Sequence, residues 1–213
     1  MITNIEDIAG QVRVYFNALD SGREKALVLS REITRASAET IRAIHRREYD
    51  AAEARLGETR QSVDAMQRVL DEYPDVWNTG FAIDSVKEHA EAVFTLALVR
   101  GDSLPLPSEL GVPVPAYING LAEAIGEGRR FILDAIRGGN SEDCERLLDE
   151  LDAIYQLLVT LDYPHAITKG LRQRTDAARA ILERTRGDLT TSLRQHALQQ
   201  ALTQLQARLG GNG

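Results

Sequence analysis

Glu88 and Glu91 stand at i and i+3, and Glu123 and Glu127 at i and i+4, in two stretches whose apolar residues recur with a helical period. Each spacing puts both carboxylates of a pair on one side of its helix. With about 100° per residue, the apolar face of the later stretch centres on Ile118, Leu121, Ile125, Ile132 and Ile136, and Glu123 and Glu127 lie roughly opposite it. In the earlier stretch Glu88 points away from the apolar face and Glu91 flanks it. If the two helices meet along those sides, three or four carboxylates converge. Such a cluster cannot stay ionised without a cation, and hard divalent ions take oxygen ligands. A bound Mg2+ or Mn2+ then generates hydroxide and stabilises a phosphoryl transition state. The ordinary alternative is that carboxylates opposite an apolar stripe form the wet face of an amphipathic helix.

Other chemistry is thinly represented. There is no Gly-rich phosphate loop, no Cys/His zinc spacing and no nucleophile elbow. His45, His89, His165 and His196 are far apart and form no ligand pattern. Cys144, the only cysteine, lies among Glu142, Asp143 and Glu145, whose charge disfavours a thiolate. The run Arg42-Ala43-Ile44-His45-Arg46-Arg47 has two readings. It can contact phosphates, or it can complement the dipole at a helix C-terminus. Gly120 and Gly126 cost helix propensity and permit close approach of another helix or a ligand.

The elements that must position these residues are helices. Ile5, Ile8, Val12, Phe16 and Leu19 step by three and four, and Ala26, Leu29, Ile33, Ser37, Ile41 and Ile44 continue the pattern. One long helix is expected over 4–47, running through Gly22. A second is expected over 48–72, ended by Tyr73-Pro74. A third covers 76–99 and carries Glu88 and Glu91. The stretch 101–115 holds four of the six prolines and reads as a loop. A fourth helix, 116–137, carries Glu123 and Glu127 and stops at Gly138-Gly139. Asn140 or Ser141 caps a fifth, which ends near 160. A sixth runs over 165–186 and breaks at Arg186-Gly187-Asp188, and a seventh follows through Leu189, Leu193, Leu198, Leu202 and Leu205. Its apolar spacing beyond the main bundle suits a subunit interface.

These elements make an all-α, seven-helix bundle of long antiparallel helices, a single domain over 1–209 with a flexible tail at 210–213. Composition agrees: 43% hydrophobic and 27% charged is globular, and 5% aromatic leaves the core to Leu, Ile, Val and Ala. No apolar run is long enough to span a membrane. The N-terminus lacks the features of a signal peptide. One cysteine suits a reducing compartment, so a cytoplasmic location is expected. A net charge of −7 argues against general nucleic-acid binding. The charge is uneven, however: residues 23–47 and 166–194 each hold seven Lys/Arg against three Asp/Glu. A cationic surface on an acidic protein is compatible with that distribution.

Several segments, in order, resemble the translin family. "LSREITRASAETIRAIHR" (Leu29 to Arg46) resembles its long first helix, and "KEHAEA" (Lys87 to Ala92) resembles the "QEYVEA" pattern of the factor X branch. "ELGVPVPAYINGLAEAIGEGRR" (Glu109 to Arg130) resembles the loop and helix with the "YLLGVAD…GEL" pattern, and "IYQLLVTLDYP" and "LERTRGDL" match later segments. The resemblance covers roughly residues 25 to 190.

The resemblance implies a seven-helix subunit in a hollow homo-oligomer, a hexamer or octamer, that binds single-stranded RNA or DNA or short duplex RNA. It implies a metal-dependent endoribonuclease site in the factor X branch. Carried over, the catalytic and metal-binding residues are Glu88, Glu91 and Glu123. Glu127 is a further ligand or orients a water. Arg42, His45, Arg46 and Arg47 are the candidate phosphate contacts. The alternative is a nucleic-acid-binding scaffold without chemistry. This chain departs from the pattern at four places: Glu123 stands for Asp, Lys87 for Gln, His89 for Tyr and Gly128 for Leu.

Overall fold

The computed structural model describes residues 4–139 and 143–210. In chain order the elements are α1 (Ile5–His45), α2 (Tyr49–Glu72), a 3-10 turn (Pro74–Asn78), α3 (Gly80–Arg100), α4 (Pro107–Leu110), α5 (Val114–Arg137), α6 (Cys144–Val159), α7 (His165–Thr168) and α8 (Leu171–Gly210). The fold is all-α, with no strand among the described residues. No described helix is long and apolar enough to cross a membrane. The chain divides into two compact units, Met1–Ala97 with Leu104–Gly120 and Leu98–Ser103 with Leu121–Gly213.

In the first unit, α1 and α2 form a helical hairpin. The backbone N–H of Glu48 bonds the carbonyl of Ala43 at 3.0 Å, and that of Arg47 bonds Ile44 at 2.9 Å. Arg47 takes a left-handed φ of 62° to close this turn, and the bonds satisfy carbonyls that the end of α1 leaves open. Ala26, Ile33, Ile41 and Ile44 of α1 and Ala52, Val63, Met66 and Leu70 of α2 are buried. By contrast, Ile5, Ile8, Val12 and Phe16 at the start of α1 are exposed. Helix α1 runs unbroken through Gly22, which is buried where the Tyr73 ring approaches it.

Pro74 ends α2 as the sequence requires, but the next residues wind into a 3-10 turn, so α3 starts at Gly80 rather than near 76. The proline-rich stretch is fastened down rather than loose. The Arg60 guanidinium donates to the carbonyls of Glu109 at 3.3 Å and Leu110 at 2.7 Å. The Glu109 carboxylate accepts from the Leu106 N–H at 2.7 Å. The Tyr117 hydroxyl donates to the Pro105 carbonyl at 2.8 Å, and its ring meets Phe94 edge-on at 4.8 Å. With Pro115 in its first turn, α5 begins at Val114, where a missing N–H costs nothing.

In the second unit, α6 packs against α8. Leu147, Leu151, Leu158, Leu171, Leu182 and Leu189 are buried there with Leu121, Ile125 and Ile132 of α5. The expected caps Asn140 and Ser141 lie outside the described residues, as does the tail beyond Gly210.

The expected break at 186–188 does not occur. The chain instead breaks earlier, where Lys169 and Gly170 take positive φ of 51° and 98° between α7 and α8. From Leu171, α8 is continuous through Gly187. The sixth and seventh helices read from the sequence are therefore one helix, preceded by a single turn. One glycine costs only about 1 kcal/mol in a helix interior. Its neighbours are well held. Arg129 pairs with Asp188 at 2.9 Å and donates to the Thr185 hydroxyl at 3.0 Å, and Arg186 pairs with Asp152 at 3.0 Å.

Candidate functional site

Helix α3 is buried almost all round, so it lacks the broad wet face of an ordinary amphipathic helix. Ala82, Val86, Ala90, Phe94 and Leu96 are buried, and so are Lys87, His89 and Glu91. Glu91 is 8% exposed. That burial removes the wet-face reading for Glu91, because a charge taken out of water must find compensating charge or donors.

Glu88, one turn away, is half-buried and takes the Lys87 ammonium at 2.9 Å. The lysine side chain is itself only 8% exposed, against 33% for Glu88. Lysine is among the residues least often buried, and then almost always paired. In the sequence Lys87 stands out only as a departure from the family pattern. The available signal was its position on the stripe Ile83, Lys87, Ala90, Phe94, where a solvated lysine does not belong.

His89 is buried between the two acids in sequence, and its Nδ1 has no hydrogen-bond partner. Burial, aided by the Arg60 charge and opposed by Asp64, lowers its pKa to about 4. The imidazole is therefore neutral at pH 7.

Gly120 positions the start of α5 against this helix. A Cβ at Gly120 would stand 2.9 Å from the Lys87 carbonyl oxygen, 3.0 Å from the Ala90 Cβ and 3.1 Å from the Glu91 amide nitrogen. Only glycine admits that approach of two backbones. Glu123 follows one turn further along the same helix.

The second acidic pair resembles Glu88 in exposure, and only Glu91 of the four is buried. Glu123 and Glu127 are both partly exposed. The Arg174 Nε, from α8, donates to Glu123 at 2.7 Å. Arg130 stands 3.8 Å from Glu127. No local pattern signals that Arg174, fifty-one positions away, partners Glu123.

The basic run lies at the end of α1, where both of its expected roles are open to it. Arg42 and Arg47 are exposed, and His45 is partly buried. Arg46 is committed to Glu48, with its Nε at 2.8 Å and its Nη2 at 2.7 Å. That ion pair raises the Arg46 pKa and lowers that of Glu48.

Carboxylates are hard oxygen donors, so Glu88, Glu91 and Glu123 are chemically suited to Mg2+ or Mn2+. Long helices, a buried acid beside a buried lysine, and a glycine that brings two backbones together define an all-helical protein with a candidate cation-binding constellation. No protein-family profile matches the chain. It is 33% identical over 197 residues to "Uncharacterized protein MJ0175" of Methanocaldococcus jannaschii, covering 92% of this chain and 87% of that one. Among solved structures, it is similar to the crystal structure of AfC3PO, with 28% identity and a TM-score of 0.80 over 86% of this chain and 96% of the other. A structure of an AfC3PO–duplex RNA complex gives the same identity and TM-score, over 86% and 95%. The crystal structure of apo-NeC3PO, at 19% identity and a TM-score of 0.77 over 90% and 98%, shares the fold. The likeness to these C3PO structures supports a translin-family protein.

Proposed function

We propose that this protein is a nucleic-acid-binding homo-oligomer that cleaves single-stranded RNA with Mg2+ or Mn2+ held by Glu88, Glu91 and Glu123. The observation that carries this reading is the burial of Glu91, a carboxylate whose charge needs a compensating cation. When bound, a divalent ion held by the three acids would lower the pKa of a coordinated water and supply positive charge to the phosphoryl transition state. Glu127 is a further ligand or orients a water. Arg42, His45, Arg46 and Arg47 serve as phosphate contacts, Arg46 by exchanging Glu48 for the ligand.

AfC3PO, which this chain resembles, has been solved with duplex RNA, which supports RNA as the ligand class and short duplexes beside single strands. Exposed Leu198, Leu202 and Leu205 on α8, and Ile5, Ile8 and Val12 on α1, suit burial between copies in a hexamer or octamer. Repeated weak cationic patches in such an assembly act together on one anionic strand.

The second reading is a scaffold that binds nucleic acid without cutting it. It is favoured by the lysine and arginine already paired with Glu88 and Glu123.

Labelled single-stranded RNA incubated with Mn2+ decides between them. Catalysis predicts cleavage that EDTA abolishes and that Glu88→Gln with Glu123→Gln lowers about a hundredfold or more. Cleavage that survives the double substitution excludes this site. Intact RNA bound with a steep salt dependence supports the scaffold.

A further inference from the structure

The acids of the proposed centre are not bare. In the first unit the Lys87 ammonium sits 2.9 Å from Glu88, on a side chain only 8% exposed. In the second unit the Arg174 Nε sits 2.7 Å from Glu123, with the two side chains 29% and 28% exposed. Arg174 is also tethered at its other end, where Nη1 donates to the Lys169 carbonyl at 3.4 Å. These pairs are partly or largely out of water, where charges attract and repel more strongly than at an open surface. A carboxylate so paired has its charge already balanced. A divalent ion arriving there would stand beside a like charge, and one or both cations must turn away for it to bind well.

Both displaced groups have the same chemical taste. An ammonium and a guanidinium released from carboxylates are phosphate binders, the guanidinium through its planar fork. The ligand that can accept them is an oxyanion, and a phosphodiester backbone presents such oxygens in series.

Building on the metal-dependent reading above, we propose that Lys87 and Arg174 are resident counter-cations that a phosphodiester draws off Glu88 and Glu123, so that nucleic acid and divalent metal bind this protein cooperatively. The free chain then binds metal weakly, and metal loads mainly when substrate is present. Such coupling is reciprocal: metal tightens nucleic-acid binding by the same factor. Lys87 and Arg174 are positioning residues in this scheme, acting through the acids they hold.

The test is equilibrium Mn2+ binding to the full chain, read by electron paramagnetic resonance of free Mn2+. It is run with no additive, with a single-stranded DNA oligonucleotide and with inorganic phosphate, and Mn2+ bound by the oligonucleotide alone is subtracted. The native chain should bind Mn2+ about tenfold tighter with the oligonucleotide. Lys87→Gln should bind Mn2+ tighter than the native chain without any additive and lose most of the coupling. Lys87→Met, which keeps length and drops the charge, should behave the same way and guards against a folding defect in the first variant. Arg174→Gln should lose part of the coupling.

Equal Mn2+ affinity with and without the oligonucleotide overturns the proposal, and so does a native-like result from both Lys87 variants. Coupling produced as fully by inorganic phosphate overturns nucleic acid as the source of the oxyanion. No Mn2+ binding in any arm overturns the metal-dependent reading itself, so the two failures are distinct.

Discussion

Glu88–Glu91 on α3 and Glu123–Glu127 on α5 differ by one residue in spacing, and both pairs sit off the apolar stripe that the sequence draws. Of the four acids only Glu91 is taken out of water, while Glu88, Glu123 and Glu127 stay partly exposed. Helix α3 is buried on nearly every side, and it carries a lysine, a histidine and a glutamate out of water. Helix α5 keeps both glutamates partly exposed and lets arginines reach them. The acidic pattern alone therefore says little about desolvation. The surroundings of each helix decide it, and desolvation is what turns a carboxylate from a solvated surface group into one that needs a cation.

The contrast breaks most severely at Gly120. Here the obstacle to a side chain is the backbone of α3, at the Lys87 carbonyl and the Glu91 amide. Backbone cannot step aside as a side-chain tip can. Gly120→Val should cost about 3 kcal/mol through overpacking, seen as a lower midpoint in urea. Gly128 on α5 is a comparison at a buried position that faces a side chain instead of backbone. A Cβ there meets only the methyl groups and Cγ of Leu151. Gly128→Ala should cost less than Gly120→Val, because the buried Leu151 side chain can shift where backbone cannot and alanine gains about 1 kcal/mol of helix propensity. Equal losses at the two glycines would mean that the close approach of α3 and α5 is not the constraint described here.

His89 sharpens the comparison, since it is a buried imidazole on α3 and α5 carries no histidine. Its folded pKa, lowered to about 4 by burial and the Arg60 charge, lies below the ordinary value of 6.5. Well above pH 6.5 neither the folded nor the unfolded chain protonates it, and the folded state keeps its full stability. As pH falls below about 6.5 the unfolded chain takes the proton first. Stability is then lost progressively until the folded imidazole also titrates near pH 4. The loss should reach about 3 kcal/mol. The check is unfolding free energy against pH for the native chain and His89→Gln. The difference in slope between pH 6.5 and 4 isolates the histidine from the carboxylates, and equal slopes would show that His89 is not desolvated.

Much of this arrangement was legible in the sequence. The 3.6-residue period of Ile33, Ile41 and Ile44, and of Ile125, Ile132 and Ile136, marks faces that are indeed buried at Ile33, Ile41, Ile44, Ile125 and Ile132. Tyr73-Pro74 and Gly138-Gly139 were readable as ends because proline and glycine act locally. Lys87 and Arg174 were not readable as partners of acids. A buried lysine follows the packing of every neighbour of α3, and the Arg174–Glu123 pair joins residues fifty-one apart. Periodicity within one helix carries neither fact.

Gly187 shows where a local signal misleads, and it offers the smallest of the expected effects. The triplet Arg186-Gly187-Asp188 resembles a helix stop, yet the two charged residues are occupied on opposite tasks that both favour helix. Arg186 reaches Asp152 on α6, and Asp188 reaches Arg129 on α5. Two anchored neighbours hold the backbone helical, and the glycine contributes only its extra freedom in the unfolded chain. Nothing lies within 4 Å of a Cβ placed there. Gly187→Ala should therefore stabilise the protein by about 0.5–1 kcal/mol, raising the thermal midpoint slightly. A destabilised variant would mean that α8 is interrupted at this position in solution, and that the two-helix reading of residues 165–209 was the better one.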